Sequence, residues 1–321
     1  MYNPPASLKP RIAAEEYQPW TGRGIVWGSV HDENAYCVGG VSGHAGIFST
    51  ARDIAVLAQT LLNGGQYNGT RILEEQSVRT LFTDYNQAFP THAHGLGFEL
   101  DQRRYMGALS SPVTAGHTGF AGTSIVIDPI ARSFMILLTN RVHPSRSWGA
   151  DNPPRAAVAT DLAMVPPVRP TRGRTAWFAG PVDDTTATLT VPVAVPAGGA
   201  DLSFDLWYDT SDTDGGAVQA SSDGGATWQL VPLSLRVGSD RWQTDGTFTG
   251  FEGRQWLQAA APLPPSTTHL RWTYTTSSEA HGRGVYVDAV TVTGDQGPIF
   301  DDSRRADAAQ FQPVDWTESR N

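Results

Sequence analysis

Two glycine-dense stretches hold the residues best suited to chemistry. "TAGHTGFAGTS" (114–124) sets His117, Thr118, Gly119 and Phe120 at the expected end of a strand, followed by Ser124. "GSVHDENAYCVGGVSGHAGIFSTA" (28–51) gathers His31, Asp32, Glu33, Asn34, Ser42 and His44. Glycine at this density lets backbone approach backbone, or a ligand, closely. The corresponding chemistry is acyl transfer, which needs a nucleophile, a base and N–H groups aimed at a developing oxyanion. Ser42 or Ser124 with His44 or His117 and Asp32 would make a Ser–His–Asp set if the fold brought them within hydrogen-bond reach. His31, Asp32, His44, His92, His94 and His117 are alternative metal ligands, although "HAH" (92–94) lacks the further Asp and His of a metallohydrolase loop. The competing structural role for all of them is ordinary: loop caps and buried, hydrogen-bonded polar groups.

Elements positioning the two stretches are legible around them. "STARDIAVLAQTLLNGG" reads as a helix, capped by Thr50 with Asp53 and ended by Gly64-Gly65. Its apolar stripe is Ile54, Leu57, Ala58, Leu61 and Leu62. "EEQSVRTLF" (74–82) predicts a short helix and "NPPRAAVATDLAMV" a closing one. Strands are expected over 95–100, around 114–119, and over 122–129 and 132–140, the last two as a hairpin. Residues 1–165 therefore read as an α+β domain.

Beyond it, "PPVRPTRGRTAWFAGP" marks a linker, 166–182. Residues 183–300 alternate in short strands split by Gly, Asp, Ser and Pro, the pattern of an all-β sandwich of jelly-roll type. A weakly patterned tail, 301–321, follows, with Phe311 and Trp316 able to pin it to the sandwich. "SSDGGATW" (221–228) matches an Asp-box, a hairpin in which Asp223 caps the turn, Gly224 and Gly225 take positive φ and Trp228 packs beneath. Asp209, Asp212, Asp214 and Asp288 are candidate Ca²⁺ ligands, without the spacing of an EF-hand. Trp207, Trp242, Trp256 and Trp272 suit either a sandwich core or a sugar-stacking face, with core the expected role.

The chain of 321 residues is globular in composition: 40% hydrophobic, 10% aromatic and 17% charged. A net charge of −9 argues against nucleic acid or anionic membrane as the main partner. Cys37 stands alone, which excludes an internal disulfide and predicts a small buried thiol. No apolar run approaches the ~20 residues of a membrane span. "MYNPPASLKP" has no hydrophobic region of the export-signal kind. No further cofactor is expected.

Three stretches, "VHDENAYCVGGVSGHAGIFSTARDIAVLAQTLLNGG", "GHTGFAGTSIVIDP" and "LLTNRVHP", make residues 1–165 resemble the C-terminal half of the serine β-lactamase and penicillin-binding-protein family, in its class C and esterase-like branch. The resemblance implies that His117-Thr118-Gly119 occupies the family's Lys-Thr-Gly box. His117 and Thr118 would then bind the substrate's carboxylate or polar groups, and the N–H of Phe120 would supply half the oxyanion hole. It also implies a parent activity on an ester, an amide or a cell-wall peptide, in a secreted or cell-surface protein. Two departures stand out. Lys9 is the only lysine and Ala6 stands three residues before it, so no Ser-x-x-Lys occurs here; nor does Tyr-x-Asn. In the family both motifs precede these residues, so the chain reads as part of a longer catalytic domain, inactive alone, with an unpaired sheet edge and uncovered apolar surface. The sandwich resembles modules appended to secreted bacterial peptidases and glycosidases, which makes a non-enzymatic protein binding carbohydrate or cell surface through it the alternative reading.

Overall fold

A computed structural model describes residues 1–149, 152–279 and 281–321. Two compact units divide the chain, residues 1–162 and 163–321. Among the described residues the first has five α-helices, α1 (Glu33–Cys37), α2 (Ala51–Leu62), α3 (Glu75–Leu81), α4 (Arg103–Met106) and α5 (Asn152–Ala163). Its antiparallel sheet runs in sequence order: β1 (Glu99–Leu100), β2 (Ala115–Thr118), β3 (Ser124–Asp128) and β4 (Ser133–Leu137).

Helix α2 begins where its chemistry says it should. The Thr50 hydroxyl accepts from the Asp53 N–H at 3.2 Å and donates to the Asp53 carboxylate at 3.0 Å. The Asp is a residue too short to reach back to the cap's own N–H as a Glu would, and takes the hydroxyl instead. At the other end the Gly65 N–H returns to Thr60 O, with φ +94°. A Cβ at Gly65 would stand 2.1 Å from Leu73 O, so no other residue fits there. Ala58, Leu61 and Leu62 are buried with Val78 and Ile127 against Phe134. Leu57, expected on the same stripe, is exposed, as is Val56. Among the described residues β4 pairs with β3 alone, so its outer edge carries no neighbour.

Two expectations need correcting. Of 95–100 only Glu99–Leu100 joins the sheet, because Gly97 takes φ +91° in a turn and Gly95 lies against Leu81 O. Cys37 is exposed rather than buried: α1 is barely more than one turn, and its one buried residue is Ala35.

The second unit is a sandwich of two antiparallel sheets. One holds six strands, with Gly215–Ser221, His269–Thr275 and Thr186–Pro192 at its centre. The other holds eight, with Leu233–Val237, Leu257–Leu263, Ala200–Asp209 and Gly284–Gly294 side by side. Period-2 alternation is strict over 257–263, where Leu257, Ala259, Ala261 and Leu263 face the core and the residues between them face out. Leu206, Trp272, Tyr274 and Val287 fill the interior with Phe311 and Trp316.

The stretches read as linker and tail contribute strands of their own. Ala176–Ala179 pairs with Gly284–Gly294 and with Thr317–Ser319, while Gln312–Val314 pairs with Thr186–Pro192. The cause is a second small core on the outer face of the larger sheet, where Val168 and Ala176 pack on Trp207 and Tyr286. A Pro- and Arg-rich segment without periodicity can lie flat there, since side chains and not a ladder hold it. The Asp288 carboxylate accepts from the Thr171 and Arg172 N–H groups at 2.7 and 2.9 Å.

Candidate functional site

The loop after β2 is held from both sides. The Gly119 N–H donates to Thr123 O at 2.8 Å, and Gly122 N–H to Gly119 O at 2.9 Å. From α5, the buried Arg155 guanidinium donates to Gly119 O (2.8 Å) and Thr123 O (3.1 Å). Phe120 stands at the tip of this turn, 55% exposed, and among the described residues its N–H has no hydrogen-bond partner. His117 is exposed and turns its Nδ1 to Thr118 O, 2.9 Å away. Register sets Thr118 opposite Ser124, and His117 opposite Ile125. His117 and Thr118 thus point to opposite faces, as neighbours on a strand must. Ser124 is buried on the ladder; among the described residues its hydroxyl has no partner and joins neither histidine.

Phe120 links the two glycine-dense stretches. Its ring stacks on the imidazole of His31, centroids 5.6 Å apart and planes at 25°. The Arg146 and Arg141 guanidinium carbons lie 5.2 and 5.6 Å from the same ring. Beneath lies the buried Glu16 carboxylate. It accepts from the Arg146 backbone N–H (2.9 Å), Arg146 Nε and Nη2 (2.8 and 2.7 Å) and Gln18 Nε2 (3.2 Å), and stands 3.0 Å from His31 Nε2. Burial works to raise the Glu16 pKa, but the bonds from Arg146, Gln18 and His31 outweigh it and bring it down to about 2. Arg146 Nη2 also reaches Glu33 Oε1 at 2.6 Å. The strap holding this cluster is long-range: Asn140 donates to Ala14 O and the Tyr17 N–H to Pro144 O.

Next to His31, the Asp32 carboxylate caps α1 by accepting from the Ala35 N–H at 2.7 Å. The same oxygen lies 3.0 Å from His44 Nε2, and His44 Nδ1 lies 2.7 Å from Ser42 Oγ. Ser42, His44 and Asp32 therefore form one hydrogen-bonded chain, on an exposed surface: the His44 side chain is 57% accessible. The Asp32 pKa is lowered, first by the Ala35 N–H and then by His44, against the opposing effect of burial. Asn34 is exposed on α1 beside them, its carbonyl accepting from the Val38 N–H.

The metal readings do not assemble. Among the described residues no group of three or more His, Cys, Asp or Glu is placed to hold an ion. His94 Nδ1 is turned to its neighbour's carbonyl, Gly95 O. In the sandwich Asp209 is ion-paired with Arg254 at 2.8 Å. Asp214 bonds His281 and Ser277, Asp288 receives the 171–172 backbone, and Asp212 is exposed. Asp209, Asp214 and Asp288 are engaged by protein donors, and among the described residues the four carboxylates do not converge as Ca²⁺ ligands. Trp207 and Trp272 are buried, and Trp242 and Trp256 partly so, which fits the core role.

Sequence reasoning missed Glu16, Gln18 and Arg146. Their one signal is a cluster of polar residues beside tryptophan in "EEYQPW" and "PSRSW"; nothing local says that positions 130 apart will meet.

In the first unit a small antiparallel sheet flanked by helices ends its second strand in His-Thr-Gly, which faces a glycine-dense loop through Phe120 and His31. Residues 1–160 match the family model described as Beta-lactamase, and this part of the chain belongs to that family. Among curated relatives, the "Putative D-alanyl-D-alanine carboxypeptidase" of Escherichia coli K12 is 41% identical over 162 residues, 46% of this chain and 37% of that protein. The protein of the same name from Salmonella agona is 41% identical over 150 residues, 42% and 34% of the two chains. This chain thus spans little more than a third of these relatives' length. Two solved structures, the K3 and K1 cleaved adhesin domains of Lys-gingipain from Porphyromonas gingivalis W83, match at 18% and 19% identity with TM-scores of 0.26 and 0.23. They cover 37% and 34% of this chain and 72% and 63% of theirs, a likeness too low to carry an argument.

Proposed function

We propose that residues 1–162 form one wall of an acyl-transfer cleft whose substrate is an ester, an amide or a cell-wall peptide ending in D-alanine, and that these 321 residues alone do not turn it over. The observation that carries the reading is the strand end His117-Thr118-Gly119, followed by Phe120, whose N–H has no partner among the described residues and whose ring stacks on His31. In that cleft His117 and Thr118 hold the substrate's carboxylate or polar groups, and the Phe120 N–H is one oxyanion donor. The carboxypeptidase names of the relatives support the peptide substrate, and such a substrate favours a secreted or cell-surface setting. What the cleft lacks here is Ser-x-x-Lys and Tyr-x-Asn, so neither the family's nucleophile nor its proton acceptor is present. The second unit is read as a jelly-roll-type module carrying an Asp-box hairpin; Thr227 N–H and Oγ1 donate to the Asp223 carboxylate at 2.9 and 2.6 Å.

The test is hydrolysis of nitrocefin and p-nitrophenyl acetate by the purified chain, with the expected result no burst and no turnover above buffer. One observation favours a self-contained hydrolase instead, the Ser42–His44–Asp32 chain. Its imidazole stands in water and the Asp32 oxygen that holds it is shared with the cap of α1, so it lacks the exclusion of solvent that such chemistry needs. Turnover abolished by Ser42→Ala would overturn the proposal and establish that site.

A further inference from the structure

On the outer face of the larger sandwich sheet, the part left bare by residues 168–176 forms a groove of about 460 Å³. Cross-strand register explains its shape. Ser234, Ala260 and Ser203 stand in one row across three neighbouring strands and make a floor with almost no side-chain bulk. The adjacent row reads Arg241, Arg236, Gln258 and Asp205, and makes a polar wall along that floor. All seven alternate with core residues such as Leu235, Ala259 and Phe204, so the groove follows from strand period and register.

We infer that this groove is a binding site for a hydroxyl-rich saccharide carrying a carboxylate. Arg236 and Arg241 are directly opposite each other, and like charges in that relation repel. Arg236 donates through Nε to Gln258 Oε1 at 3.0 Å, which holds its guanidinium along the wall. Arg241 is exposed and, among the described residues, has no hydrogen-bond or ion-pair partner. A carboxylate between the two guanidinium groups relieves the repulsion and gains charge-assisted hydrogen bonds. The Ser234 hydroxyl, the Gln258 amide and the half-buried Asp205 carboxylate supply donors and acceptors for sugar hydroxyls. A saccharide fits better than an acidic peptide or nucleic acid for two reasons. Asp205 lies in the same groove, where its acceptor oxygens take the hydroxyl donors of a sugar, while an acidic peptide offers it no such donors and only repulsion. The lining side chains project from a sheet face, with Arg241 on the edge strand Asp240–Thr244, so the groove itself offers side chains rather than free backbone groups to a peptide. The inference is independent of the acyl-transfer reading of the first unit.

The experiment is isothermal titration of the full chain with trigalacturonate, with maltotriose and a short poly-glutamate as comparisons. Trigalacturonate is expected to bind, maltotriose to bind at least about tenfold more weakly, and poly-glutamate not at all. Arg241→Ala should weaken trigalacturonate binding about tenfold, and Ser234→Trp, which fills the floor, should abolish it. Near-UV circular dichroism checks that each variant is folded; if Ser234→Trp is not, the exposed Arg241 alone decides. No binding, equal affinity for maltotriose, stronger binding of poly-glutamate, or affinity unchanged in Arg241→Ala would each overturn the inference.

Discussion

His31 and Phe120 stack with ring centroids 5.6 Å apart, and this contact joins the loop after the His-Thr-Gly strand to the glycine-dense segment 28–51. It places Phe120 over the network of Glu16, His31 and Arg146, so the turn carrying the candidate oxyanion donor rests on a charged platform. Phe120→Ala should therefore cost about 1 kcal/mol through the lost ring and cation contacts. Urea denaturation of the two proteins measures it, and an unchanged midpoint would show that the stack does not hold the turn.

Removing Arg146 should cost more. Arg146→Ala leaves the buried Glu16 carboxylate with the backbone N–H of position 146, Gln18 and His31 but no guanidinium, a loss of about 2–3 kcal/mol, somewhat below a fully buried pair because the guanidinium reaches solvent. Since the folded pKa of Glu16 is depressed from 4.5 to about 2, its contribution is fully present above pH 4.5 and is lost as pH falls through 2. The gap between wild type and variant in urea midpoints should shrink accordingly in acid.

The neighbouring carboxylate has the opposite sign. Burial raises the Glu15 pKa to about 7, against a smaller lowering by His143, and among the described residues its buried Oε2 has no partner. Folding therefore favours the protonated acid, and stability should decline as pH rises from 4.5 to 7. Glu15→Gln should abolish that decline and be more stable than wild type at pH 8.5 by up to about 3 kcal/mol, with the two alike at pH 4. Paired denaturation curves at these pH values decide it.

In the sandwich, His281 bridges Asp214 (2.7 Å) and Asp183 (2.8 Å). Burial tends to lower its pKa, but the two carboxylates outweigh it and the pKa is raised. The stability it confers is fully present below about pH 6.5 and lost as pH rises through the raised value. His281→Gln should cost about 1–3 kcal/mol at pH 6 and less at pH 9, read from thermal melts at both.

How much was legible depended on the range of the interactions. Thr50, Gly64-Gly65 and the 128–131 turn act within a few residues, so α2 and the β3–β4 hairpin could be read directly. The sandwich strands declared themselves by period 2. The segment 166–182 could not, because its order comes from Asp288, Trp207 and Tyr286, more than twenty residues away. Cys37 was misjudged because composition says what a thiol prefers, not how little core a five-residue helix supplies.

By itself, the sequence determined the family of the first half, the presence of a His-Thr-Gly strand end and the absence of Ser-x-x-Lys, since identity and spacing are one-dimensional facts. Only the tertiary structure decided that Phe120 meets His31, that Glu16 meets Arg146 across 130 positions, and that Ser42, His44 and Asp32 share one hydrogen-bonded chain while Ser124 stands apart. Hydrogen bonds and ring contacts act over a few ångströms of space, and chain separation does not encode that distance.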